Sequence, residues 1–212
     1  TNDSLCFDDM ACIWDSEEAA RTVWNGTVGN LNGVQVRQEI ARYVGITGDD
    51  ILDAIELDGS LTSTKGVAPT DSHDVVHAQG RWHTGLTVGD TTRLDYAYSV
   101  PETFSLSFYA TVKSGLSDVM IATLENDGGG FLVLGYDAQA SCFYVRGSDG
   151  VTVRTGKIAP PVGRDWYTLA ISQSETERTL YVYSLNYDNT VSGSVKAKPV
   201  GTFSAVYFYP KL

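Results

Sequence analysis

The sequence predicts a mainly β protein, an antiparallel two-sheet sandwich with a small N-terminal α-helical extension. Three observations predict it. From about residue 75 onward, short apolar runs recur at ~8–12-residue spacing between turn residues. "ETFSLSFYATVKSG", residues 102 to 115, alternates without a break: Phe104, Leu106, Phe108, Ala110 and Val112 share one face, Ser105, Ser107, Tyr109, Thr111 and Lys113 the other. That period of two is the pattern of a strand with one buried and one wet face. Residues 1 to about 66 lack it and carry helix punctuation instead.

"DSEEAARTVW" opens with Asp15, places Glu18 three residues later, and runs into Ala19, Ala20, Val23 and Trp24. This is a capping-box start to a short helix. "VQVRQEIARYVG" sets Val36, Ile40, Tyr43 and Val44 at helical spacing, with Gly45 as the stop. "TGDDILDAIELDG" offers Asp49 or Asp50 as cap, Ile51, Leu52 and Ile55 as a buried stripe, and Gly59 as terminator. "SLTSTKGVAPTDSHD", 60 to 74, reads as a linker or surface crossover. The expected organisation is a helical docking or oligomerisation segment over 1–66 and a sandwich over 67–212.

The strands follow in order. "RLDYAYSV" precedes the alternating stretch; "DVMIATL", "FLVLGY", "SCFYVRG", "VTVRT", "WYTLAIS", "TLYVYSL", "SGSVKA" and "FSAVYFY" come after it. "NDGGG" at 126–130 and "GSDG" at 147–150 are hairpin turns. Runs apolar on both faces, such as "FLVLGY", suit strands buried between two sheets.

A chain of 212 residues holds a sizeable core without covalent staples. Lys and Arg total 15 against 26 Asp and Glu, a net charge of -11. Such a chain repels phosphate backbones, so nucleic acid is excluded as a partner, while the same charge favours solubility and attracts cations. Arg37 and Arg42 in the second helix therefore fit a docking face for a neighbouring subunit better than a DNA-reading helix. No stretch approaches the ~18 apolar residues of a membrane span. A chain that begins at Thr1 rather than Met is expected to be processed or excised from something larger.

Cys6 and Cys12 in "CFDDMAC" would close a small disulfide loop in an oxidising compartment, whereas Cys142 in "SCFYV" reads as a small buried hydrophobe. The sequons at Asn2 and Asn25 are short enough to arise by chance. "HDVVH" sets His73 and His77 four apart, a metal pair only on a helix and otherwise surface or packing histidines. No Gly-x-Ser-x-Gly elbow occurs, and "NDGGG" precedes a strand, so it is a turn and not a phosphate loop.

Two motifs together carry a family resemblance: "GLTVGDTTRLDYAYSVPETFSLSFYATVKSG", 85 to 115, and "DWYTLAISQSETERTLYVYSLN", 165 to 186. A Trp-led strand, a polar loop and then Leu-Tyr-Val-Tyr resembles the hairpin of the laminin-G-like, concanavalin A-like jelly rolls. The resemblance spans about 78–212 and leaves the first 66 residues unexplained. It implies a jelly-roll sandwich and a binding or structural module more often than an enzyme, using rim loops and in some members calcium. Fold alone does not assign the ligand. Glycosidases of the wider superfamily carry Glu-x-Asp-x-x-Glu. "IELDGSL" supplies Glu56 and Asp58 but ends on Leu61, so it reads as a solvated helix end.

For a sugar, the chemistry needs an aromatic face with polar neighbours. Arg81, Trp82 and His83 in "RWHTG", with Tyr96, Tyr136 and Tyr187, are the candidates; Trp82 as a core plug is the bland alternative. Calcium is the one cofactor the loops would suit, through Asp118, Asn126 and Asp127, although turn chemistry explains the same residues. The expected function is non-catalytic recognition of a glycan or cell-surface receptor, on a cell surface, an extracellular protein or a virion. The alternative is an assembly subunit. A homo-oligomer held by the N-terminal segment is expected in either case.

Overall fold

The computed structural model describes residues 5–14, 51–53, 60–63, 65–73, 75–79, 84–88, 93–113, 118–158, 164–184 and 189–211. Every described strand neighbour is antiparallel. The first sheet runs β14 (Asn189–Lys196), β13 (Glu177–Ser184), β12 (Arg164–Gln173), β7 (Phe104–Lys113), β1 (Leu5–Trp14), β5 (Thr84–Val88), β4 (Val76–Gln79). A short β2 (Ile51–Asp53) adds to β1. The second runs β11 (Thr152–Arg154), β10 (Cys142–Gly147), β9 (Phe131–Asp137), β8 (Val119–Glu125), β15 (Phe203–Lys211), β6 (Arg93–Val100), β3 (Asp71–His73). Among the described strands the chain changes sheet from β2 to β3, β3 to β4, β5 to β6, β6 to β7, β7 to β8, β11 to β12 and β14 to β15, so neither sheet is built from one continuous stretch.

The strands expected from residue 93 onward all form, with "NDGGG" and "GSDG" as hairpin turns. The N-terminal part needs correction. Ile51–Asp53, expected in a helix, is strand β2, because pairing with β1 prevails over local helix preference. Residues 15–50 and 54–59, which carry the other helical expectations, Glu56 and Asp58, lie outside the described residues. "CFDDMAC" is part of β1, set between β5 and β7. Cys6 and Cys12 pair with Thr111 and Ser107 of β7. Those partners are four residues apart, about 13 Å along a strand, beyond the span of a disulfide. His73 and His77 lie on edge strands of different sheets, β3 and β4, not on one helical face.

The inner faces meet in one apolar core. Leu106 of β7 lies opposite Ile171 of β12, which lies opposite Leu180 of β13, and all three are buried. From the other sheet come Leu94, Ile121, Leu124, Leu134, Val145 and Val206. Aromatic edges lock the layers: Phe104 on Phe203 at 5.8 Å and Phe143 on Tyr167 at 5.2 Å join residues of opposite sheets. The polar side of the alternating strand is not wet, however. Ser105 and Ser107 are buried, as are Thr168, Ala170, Ser172 and Thr179 on the same outer face. Alternation distinguishes two faces by polarity; small hydroxyl side chains can be buried on either.

A second tie crosses the sandwich through a charge. Arg178 on β13 is 0% exposed and reaches the β10–β11 turn. Its Nη2 donates to Asp149 Oδ2 at 3.0 Å, Nη1 to Asp149 Oδ1 and the Val151 carbonyl at 3.3 Å each, and Nε to Gln173 Oε1 at 2.9 Å. Gln173 Nε2 donates in turn to the carbonyls of Ser174, Glu177 and Ala197. The buried charge is thus paired and hydrogen-bonded, the condition under which burial is tolerated. Burial alone would raise the Asp149 pKa; the Arg178 bond and the Val151 amide outweigh it and hold the carboxyl below its ordinary range. Nearby, the edges of the two sheets close together. A Cβ on Gly193 of β14 would collide with the Arg154 carbonyl of β11, so only glycine fits.

Candidate functional site

Strand phase and register build a cleft on the outer face of the second sheet. Leu94, Tyr96 and Val100 of β6 point to the core, so Asp95 and Ala97 occupy the opposite face. Ala205 of β15 lies opposite both Ala97 and Glu125, and Tyr207 opposite Asp95 and Thr123. The row Ala97–Ala205 is low, and taller groups stand around it. Thr70 closes one side, where its amide donates to the Asp95 carbonyl at 2.8 Å. The turn after β8 closes another. The result is an open cavity of about 450 Å³ lined by Glu125, Asn126, Asp127, Ser204 and Tyr207 besides the residues just named. That volume falls within the range of small-molecule sites.

Asn126 holds the turn. Its Oδ1 accepts from the amides of Gly128 and Gly130 at 3.0 and 2.7 Å, and its Nδ2 donates to the Val200 carbonyl at 3.3 Å. Gly129, at φ 82°, supplies the left-handed residue that the turn requires. Ser204 Oγ then donates to Asp127 Oδ1 at 2.8 Å, joining the turn to β15. The rim carboxylate is therefore placed by two separate parts of the chain.

The residues expected at a binding site divide three ways. Arg81, Trp82, His83 and Tyr187 lie outside the described residues. Tyr96 and Tyr136 are buried in the core. Tyr96 packs edge-on to Phe208 and donates its hydroxyl to the Leu61 carbonyl at 2.7 Å, and burial pushes its phenol pKa up. Tyr136 packs on Phe143 with its hydroxyl toward the Ile158 carbonyl at 3.4 Å, and burial raises its pKa as well. Both share the inward phase of their strands. The three expected calcium ligands do not converge. Asp118 precedes β8 and accepts the Ala138 amide at 3.0 Å, whereas Asn126 and Asp127 follow it, roughly 25 Å away along the strand. Among the described residues no group of three or more His, Cys, Asp or Glu side chains gathers as for a metal ion.

Of the expected residues, Asn126 and Asp127 line the cleft, and Tyr96 borders it from β6. Thr70, Asp95, Ser204 and Tyr207 were not singled out by sequence. Their proximity depends on β15 entering between β6 and β8, a long-range pairing. The local signal was the phase of "RLDYAYSV", which sends Asp95 and Ala97 outward once Leu94 and Val100 face in.

No family model matches the chain, and no curated protein matches it. Among solved structures, domain 4 of AbnA, an extracellular arabinanase of Geobacillus stearothermophilus solved with arabinotriose, is 15% identical. The match covers 73% of this chain and 89% of that one, with TM-score 0.44. Tailspike protein 2 of Escherichia coli O157:H7 bacteriophage CAB120 is 16% identical over 66% of this chain and 22% of that one, TM-score 0.46. Scytalido-glutamic peptidase, solved with a peptide-based transition-state analog, is 15% identical over 52% of this chain and 59% of that one, TM-score 0.37. The chain thus spans about three fifths of the peptidase and under a quarter of the tailspike.

Proposed function

We propose that the chain is a non-catalytic recognition domain of laminin-G-like type that binds a glycan in the cleft on its second sheet. It would act on a cell surface, an extracellular protein or a virion. The observation that carries the reading is the cleft's lining. Low alanines at Ala97 and Ala205 leave room for a ring, the half-buried Tyr207 offers an aromatic face, and carboxylate, amide and hydroxyl groups surround it. Sugar hydroxyls are both donors and acceptors, and charged or amide partners that are already positioned bind them at low entropic cost.

The test is a glycan array on the purified intact chain, in calcium and again in chelator, repeated with Tyr207→Ala. Saturable binding lost in Tyr207→Ala, with no release of shorter sugars on long incubation, is the expected result. Loss in chelator would place an ion at the cleft. Signal that survives Tyr207→Ala would move the site elsewhere, and a blank array in both buffers would overturn the reading in favour of the assembly subunit.

A further inference from the structure

We infer that this cleft selects its saccharide by charge, taking amine-bearing sugars (chains of deacetylated hexosamine) over neutral ones and rejecting uronates and sulfated or sialylated glycans. The inference rests on the glycan reading and names the ligand class for the same site. Among the described residues, those lining the cleft include three carboxylates, Asp95, Glu125 and Asp127, and no Lys, Arg or His. Two of the three, Glu125 and Asp127, are exposed at the rim. They line the same cleft as the half-buried Tyr207 and the alanines Ala97 and Ala205, so a sugar in the cleft lies within an acidic lining.

Position strengthens the effect. Asp127 is tied to Ser204, and the turn that carries it is tied through Asn126 to the Val200 carbonyl. A fixed carboxylate attracts a cation without first losing side-chain freedom. It repels an anion with equal constancy, which makes rejection part of the selectivity. The net charge of -11 adds a long-range field of the same sign. Two exposed carboxylates, each contributing a modest ion pair, correspond to a preference of about tenfold at low salt. High salt shortens the reach of that field and should erode the preference.

The experiment is calorimetric titration of the intact chain with three trisaccharides of equal length: glucosamine, N-acetylglucosamine and galacturonic acid. Each is run at low and high salt. The glucosamine trimer should bind about tenfold more tightly than the acetylated one at low salt, the gap should narrow at high salt, and the galacturonate should not bind. Glu125→Gln with Asp127→Asn should abolish the preference while the thermal midpoint holds, and Tyr207→Ala should remove binding of both neutral and amine forms. Equal binding of amine and acetylated trimers would overturn the charge selection and leave the glycan reading intact. Amine binding indifferent to Tyr207→Ala would assign it to general surface charge and overturn the inference. No binding by any of the three, with a blank array, would overturn both.

Discussion

The two glycine-rich turns of the second sheet look alike in sequence and do opposite work. "NDGGG" and "GSDG" each pair an Asp with glycines between strands. In the β10–β11 turn, Asp149 turns inward to a wholly buried arginine and becomes part of the structure. In the β8–β9 turn, Asn126 does the structural work, and Asp127 stands exposed at the cleft, tied to Ser204. The chemistry of a turn is local, but the use of its carboxylate is decided by what the opposite strand brings. The first turn is expected to control stability and the second to control binding.

The sharpest way to break this contrast is Asp149→Asn. It leaves Arg178 buried without its counter-charge and should cost about 3 kcal/mol, a fall of roughly 6–12 °C in thermal midpoint. The same pair sets an acid limit. A depressed folded-state pKa stabilises the fold above the unfolded carboxyl value near 4 and loses that contribution as pH falls through the folded value. Asp149→Asn should therefore flatten the wild-type slope of stability against pH below about pH 4. A slope unchanged in that variant would remove Asp149 from the account. Gly193→Ala comes next, at about 2 kcal/mol, since the added methyl meets backbone on β11 and not a side chain that can rotate away. Asn126→Ala removes three hydrogen bonds from a partly exposed turn and should cost about 1–2 kcal/mol. It should also weaken glycan binding, by releasing the rim. Asp127→Asn is expected to move stability least, within about 0.5 kcal/mol, and to change ligand preference most; a large fall in its thermal midpoint would erase the distinction between the turns.

Much of the sandwich was legible because its strands announce themselves. Phe104, Leu106 and Ala110 point inward as their alternation requires, and "FLVLGY" is buried on both faces as an uninterrupted apolar run should be. β1 was not legible: "LCFDDMACIW" breaks its apolar run with Asp8 and Asp9, and only its neighbours β5 and β7 make it a strand. Ile51 and Leu52 suit a helix by local spacing, and only the pairing of β2 with β1 makes them strand. The cleft was half legible. Asp127 stands out as a loop oxygen, whereas the aromatic rings of Tyr96 and Tyr136 suggest a sugar platform while their phase, shared with Leu94 and Leu134, sends them inward. Tyr207 gives no local signal in "FSAVYFY", where a tyrosine on either face reads the same until the register with Asp95 is known.

The close meeting of Gly193 with Arg154 has a consequence for solubility. An eight-residue edge strand with no proline and a single lysine, as β14 is, offers unpaired amides and carbonyls to any other chain. Packing the face of β14 against β11 anchors that edge strand to the other sheet. The missing side chain at Gly193 thereby holds this margin in the sandwich, and a methyl group that forced the two strands apart would leave the edge freer to pair with another chain.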